Sequence, residues 1–223
     1  MSLVDVAEAA QQLGVSPRRV RQMLADELVP AVRIGRAWAV EQRHVDHLKN
    51  HRASAGRPWS PSSAWAALAA ADGREHSLSS VDRSRARRRL GRAGLVGIAE
   101  RLAARADSRR FYGHPSVLER LGNAPDVVRS GVSAAKEHGA DLLAWGFLEA
   151  YVPRSAADGI ISKYALDEDA ERANIVLRIV EDSAWPFAPG ERFAPRAVVA
   201  IDLLESGDER SRRSGLALAR QSP

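Results

Sequence analysis

The side chains best suited to recognition chemistry come near the start of the sequence. Ser16-Pro17-Arg18-Arg19 is followed directly by Val20-Arg21-Gln22. An arginine can grip guanine O6 and N7 with two parallel N–H donors, and a glutamine amide can do the same at adenine N6 and N7. Further on, Arg33 and Arg36 bracket Ile34-Gly35. Arg83, Arg85, Arg87, Arg88, Arg89 and Arg92 form the densest run of positive charge in the chain. Such a run can neutralise several phosphates of a polyanion, meet an acidic protein surface, or stand solvated. Arg85, Arg88 and Arg89 are taken as candidate phosphate contacts.

Other constellations bear on catalysis or metal binding. His44, His47 and His51 are spaced to share one face of a helix, and three imidazoles on one face can hold zinc. No nearby carboxylate spacing completes a familiar motif, so a cationic or phosphate-facing surface is the expectation. Asp167, Glu168, Asp169 and Glu171 read as a solvated acidic run before a strand. Asp202 and Glu205 fall at the end of a predicted strand, a better position for a site, yet no phosphate-binding loop accompanies them. The sequence has no P-loop, no dinucleotide-binding glycine pattern and no serine nucleophile elbow. With no cysteine, disulfides, thiolate nucleophiles and cysteine zinc sites are absent together. The expectation is a non-enzymatic protein with no cofactor and no bound metal. Trp185-Pro186-Phe187 reads as a packed corner.

The elements that must hold the first set follow from local chemistry. Asp5 with Glu8 three residues later is a capping-box pattern, and helical apolar spacing begins at Val6. This helix runs to about Leu13, where Gly14 ends it. Ser16 is the next N-cap with Pro17 at the first helical position, and the second helix runs from Pro17 to about Glu27. On a helical wheel Val20, Met23 and Leu24 fall on one side. Arg18 and Gln22 fall opposite, flanked by Arg19 and Arg21. Ala31–Ile34 and Ala37–Val40 read as a hairpin about Gly35-Arg36, and Glu41 to Arg52 as a third helix. Residues 53–61 read as a linker. Helices fit Ser62–Ala71, Ser79–Leu90 and Leu95–Ala106, with a strand at Arg109–Tyr112. After the break at Gly122-Asn123-Ala124-Pro125, strands fit Val127–Arg129, Gly146–Val152, Asn174–Val180 and Ala197–Leu204. Helices there fit Val132–His138, Ala156–Tyr164 and Asp208–Arg220.

Charge is unevenly distributed along the 223 residues, whose formal total is +5. Residues 1–57 carry net +3, residues 58–122 net +6 and residues 123–223 net −4. A basic front suggests a polyanionic partner there and a different partner at the rear. No apolar run approaches the length of a membrane span, and no secretion signal opens the chain, so a cytoplasmic location is expected.

A helix, a glycine turn and a second helix opening Ser-Pro-Arg-Arg form a helix-turn-helix pattern, whose second helix would enter the major groove of double-stranded DNA. The pieces A-E-A-A, L-G-V-S, R-x-V-R and R-I-G-R-A-W over residues 3–52 resemble the winged helix-turn-helix of excisionases and MerR-like regulators. The resemblance implies that Pro17–Glu27 is the recognition helix, and that Trp38 packs the wing on the helices. Ala37 and Ala39 stand where related wings carry more basic residues, which implies a weaker wing contact. Later stretches resemble antitoxin-type regulators of the AbiEi group: R-S-R-A-R-R-R-L, R-R-F-Y-G-H-P, R-S-G-V-S-A-A-K-E-H-G, A-N-I-V-L-R-I-V and A-V-V-A-I-D-L-L-E-S-G-D-E-R. That second resemblance implies repression of the protein's own operon and a nucleotidyltransferase-like toxin as partner.

The expected fold is α+β: a winged helix-turn-helix over residues 1–52, a basic helical region over 62–122, and a small α/β domain over 123–223. The expected DNA contacts are Ser16, Arg18, Arg19, Arg21, Gln22, Arg33, Arg36, Arg85, Arg88 and Arg89. A homodimer on operator DNA fits the short footprint of one such domain. Two other readings remain open: a stand-alone excisionase-like or MerR-like DNA binder with an oligomerisation tail, and an enzyme targeted to DNA.

Overall fold

The computed structural model describes residues 3–25, 31–34, 37–42, 44–45, 58–168 and 171–221. The chain divides into two compact units, residues 1–54 and residues 55–223.

In the first unit β1 (Leu3–Asp5) leads straight into α1 (Val6–Leu13), because Asp5 is both the last strand residue and the helix N-cap. Its Oδ1 accepts from Glu8 N at 2.8 Å. Gly14 ends α1 in the left-handed region, at φ 54°, where its N–H returns to Gln11 O and that of Val15 to Ala10 O. The second helix, α2 (Pro17–Ala25), follows at once. A hairpin of β2 (Ala31–Ile34) and β3 (Ala37–Glu41) joins β1 in an antiparallel sheet of order β1-β3-β2. Val4, Ala10, Leu13, Val20, Val40 and Val45 close the core between sheet and helices. Strand β1 is not expected from the sequence, where Asp5 is marked only as a helix cap and Leu3 and Val4 are unassigned. Of the predicted third helix, Gln42, His44 and Val45 are helical, and the remainder lies outside the described residues.

The second unit is a four-stranded sheet with helices on both faces. Its elements are α3 (Pro61–Ala71), α4 (Ser80–Ile98), β4 (Asp107–Phe111), α5 (Pro115–Gly122), β5 (Val128–Arg129), β6 (Leu148–Pro153), α6 (Arg154–Lys163), β7 (Ile175–Val180), α7 (Arg196–Glu205) and α8 (Glu209–Arg220). Strand order is β4-β7-β6-β5; β6 and β7 run parallel around α6, and the outer pairings are antiparallel. Residues on either side of 122 therefore share one sheet. Strands β6 and β7 lie between two apolar layers and read as near-continuous hydrophobic runs. Ala150, Val152, Ile175, Leu177 and Ile179 face one layer with Phe111, Leu121 and Ile160. The other layer gathers Trp65, Leu68, Leu102, Phe187, Ile201 and Leu203.

Three predicted elements are corrected. Ala197–Leu204 is the core of helix α7, not a strand. Val132–His138 forms two short 3-10 turns, Gly131–Ser133 and Ala135–His138, in place of a helix. The helix read over Leu95–Ala106 is split between the end of α4 and a 3-10 segment, Ala99–Arg105. Gly94, at φ 64° and ψ 172°, breaks α4 internally.

Candidate nucleic-acid interface

Helix α2 is anchored by one face and exposed on the other. Val20 is buried, and Met23 and Leu24 are partly buried against the same core. Arg18, Arg21 and Gln22 are exposed. Neither Arg18 nor Arg21 is engaged by a carboxylate among the described residues, so both guanidinium groups keep their full donor set. Ser16, also exposed, receives Val20 N on its carbonyl at 3.3 Å, which starts the helix. The left-handed turn at Gly14 separates α1 from α2. A side-chain clasp fixes the base of the assembly: the Gln12 and Gln42 amides donate to each other, Nε2 to Oε1, at 3.2 and 2.6 Å. Nothing in the sequence pattern marked that clasp, because the partners are thirty residues apart.

The hairpin offers a second exposed group. Arg33 and Trp38 are directly opposite across β2 and β3, and the guanidinium lies 5.7 Å from the indole centroid. Side chains alternate along a strand, so this pair shares its face with Val40, Val4 and Ala31 but lies nearer the turn. The expectation that Trp38 packs the hairpin on the helices is corrected: the residue is 40% exposed, beyond the end of the core. Arg36 and the side chain of Arg19 lie outside the described residues, as do His47 and His51 of the histidine series. His44 is partly buried, and its Nδ1 has no hydrogen-bond partner.

The six-arginine run belongs to the second unit, on α4, and the structure divides it by use. Arg83 Nη2 donates to Leu78 O at 3.1 Å. Arg87 pairs with Glu75, donating through Nε at 2.8 Å. Arg89 stacks on Trp59, 4.5 Å from the ring centroid. Arg85, Arg88 and Arg92 are exposed and engage none of the described residues.

The other concentration of ionisable groups is internal. Glu149 and Tyr151 on β6 and Arg178 on β7 point to the same side of the sheet, beneath α7. There they meet Arg105, Ser130, Asp202 and Glu205. Arg105 donates from Nη2 to Asp202 Oδ1 at 2.5 Å, from Nη1 to Glu205 Oε1 at 2.6 Å, and from Nε to Tyr151 Oη at 2.9 Å. Arg178 donates from Nη2 to Glu149 Oε1 at 2.6 Å and from Nη1 to Glu205 Oε2 at 3.0 Å. Tyr151 Oη and Ser130 Oγ both donate to Asp202. The two guanidinium groups hold Glu205 down to about 2, against the burial that opposes ionisation. Burial dominates at Glu149 and raises its carboxyl above the usual range despite Arg178. Every carboxylate here is engaged by an arginine. The arrangement therefore ties β6, β7, α7 and the 3-10 segment before β4 into one core. Gly131 is required beside it, since a Cβ at its φ of 49° would stand 1.8 Å from Glu149 Oε2. The pair expected at a strand end, Asp202 and Glu205, thus sits on a helix, one turn apart, and faces inward. Of the acidic run, Glu168 pairs with Arg109 at 2.6 Å, and Asp167 forms a bridge with Tyr112. Among the described residues no group of three or more His, Asp or Glu side chains is placed to hold a metal ion.

Comparison with known proteins bears on the first unit. Residues 3–53 match the family model of the helix-turn-helix domain. A 47-residue stretch is 45% identical to the probable plasmid-partitioning protein ParA of Thermus thermophilus, over 21% of this chain and 15% of that protein. The chain thus shares only a small part of that relative's length. No solved structure matches. The match covers α1, α2 and the hairpin, so the exposed face of α2 lies within a helix-turn-helix domain.

Proposed function

We propose that this chain is a sequence-specific DNA-binding transcriptional regulator that inserts α2 into the major groove. The observation that carries the reading is the pairing of an anchored inner face with an outer face of unneutralised Arg18 and Arg21 beside Gln22, inside a matched helix-turn-helix domain. Arg18 and Gln22 read base edges; Ser16, Arg19 and Arg21 serve the flanking phosphates. The β2–β3 hairpin acts as a wing, with Arg33 and Arg36 positioning the backbone and Trp38 adding an apolar surface beside Arg33. A two-fold operator bound by two copies would supply the length that one domain lacks. The test is site selection by the full chain from a randomised duplex pool. Enrichment of one motif is expected, and an unenriched pool would refute sequence-specific recognition.

We further propose that the regulator is the antitoxin of a toxin–antitoxin pair, counteracting a nucleotidyltransferase-like toxin encoded beside it. The reading rests on the resemblance of the later stretches to AbiEi-group antitoxins. Leu143 and Trp145 are 62% and 86% exposed, as a protein-binding surface would need. Co-expression with the neighbouring gene product should relieve its toxicity, and unrelieved growth arrest would contradict the reading.

A further inference from the structure

The three arginines that α4 leaves unengaged are not scattered. Arg85, Arg88 and Arg92 recur at i, i+3 and i+7, within about 60° of one another around the helix axis. They form a stripe roughly 10 Å long, at 1.5 Å of rise per residue. The other three arginines of the run are held inward or sideways by Leu78 O, Glu75 and Trp59. The one carboxylate on the helix, Asp82, lies at its N-terminus three residues before Arg85, where its Oδ2 accepts from Ser79 Oγ at 2.7 Å. None of the three arginines of the stripe is paired with a carboxylate among the described residues. A solvated helix face is ordinarily laced with both signs, as α8 is by Arg213 and Glu209. Like charges one turn apart repel, so an unbroken stripe costs stability unless something else is gained.

We infer that Arg85, Arg88 and Arg92 form a second, sequence-independent DNA contact, binding backbone phosphates in addition to those met by the helix-turn-helix unit. Two features favour a nucleic-acid backbone over an acidic protein. The stripe, whose arginine forks match phosphate oxygens, contains no hydrogen-bond acceptor that would select one partner geometry. It is also covalently joined to a domain that itself presents bare arginines. The inference rests on the DNA-binding reading of the first unit.

The test measures affinity of the full chain for a mixed-sequence 30-bp duplex across a salt series. Two triple variants are compared with the unsubstituted protein. R85Q/R88Q/R92Q removes the stripe and keeps helix propensity. R110Q/R120Q/R220Q removes the same charge at other exposed arginines. Loss of the stripe should lower the steepness of log Kd against log salt by about one per arginine. Between 50 and 200 mM salt it would then lose about 40-fold less affinity than the unsubstituted protein. The second triple variant should behave like the unsubstituted protein. Equal slopes for all three proteins, or equal reductions in both variants, would overturn the inference. In the second case net charge alone acts. An acidic protein as the true occupant gives the first outcome. If the unsubstituted protein binds no duplex at all, the helix-turn-helix reading fails and takes this inference with it.

Discussion

At the residue scale, the most constrained side chains are those of the buried ion network, not those proposed to touch DNA. Arg105 and Asp202 have side-chain exposures of 1% and 0%, and removing one partner of such a pair leaves the other charge buried and unpaired. Glu205 gives this a measurable pH signature. Its folded-state carboxyl sits near 2, below the usual 4.5, so its stabilising contribution is complete above pH about 4.5 and is lost as pH falls toward 2. Glu205→Gln should therefore destabilise the protein by about 3 kcal/mol at pH 7. Its deficit in chemical denaturation should shrink steadily as pH drops through that window. A deficit that stays constant from pH 5 to pH 2 would show that Glu205 is not the ionised partner of Arg105 and Arg178.

At the element scale, the elements that the sequence disclosed best are those whose ends carry chemical punctuation. Asp5, Gly14 and Ser16-Pro17 fixed α1 and the start of α2, and Ser60 and Asp208 cap α3 and α8 near the predicted starts. Helix α7 reads as a strand in sequence because A-V-V-A-I-D-L-L is apolar but for Asp202. A buried helix and a buried strand look alike when no polar face sets a period. Its burial from Ala197 to Leu203 accounts for that uniformity. Misassigning α7 hid the network, since Asp202 and Glu205 face Arg105 and Arg178 together only when one helical turn separates them. Residues 132–138 carry helix-forming Ala, Lys and Glu, yet tertiary contacts around Ser130 and Glu149 impose tight turns there. The exposed face of α2 was readable because amphipathic spacing needs no long-range information. The exposure of Trp38 was not, because burial on a hairpin depends on contacts distant in the sequence.

At the scale of the whole molecule, the reversal of charge after residue 122 has an internal use. Arg74–Glu191, Arg105–Glu205 and Arg109–Glu168 join the basic segment to the acidic one across that point, within a single folded unit. Part of what looks along the chain like two partner surfaces is thus self-neutralised. Among the described cationic groups without a carboxylate partner are Arg18 and Arg21 on the outer face of α2 in one unit and the Arg85–Arg88–Arg92 stripe in the other. Regulation by this protein therefore turns on whether α2 reads sequence. The direct measurement is the ratio of Kd for a selected site to Kd for a mixed-sequence duplex at one salt concentration, in the unsubstituted protein, R18A and Q22A. The unsubstituted protein should prefer the selected site, and each substitution should erode that preference by about 1–3 kcal/mol, or about 5- to 150-fold. A ratio near one in the unsubstituted protein, or full preference retained by both variants, would contradict it.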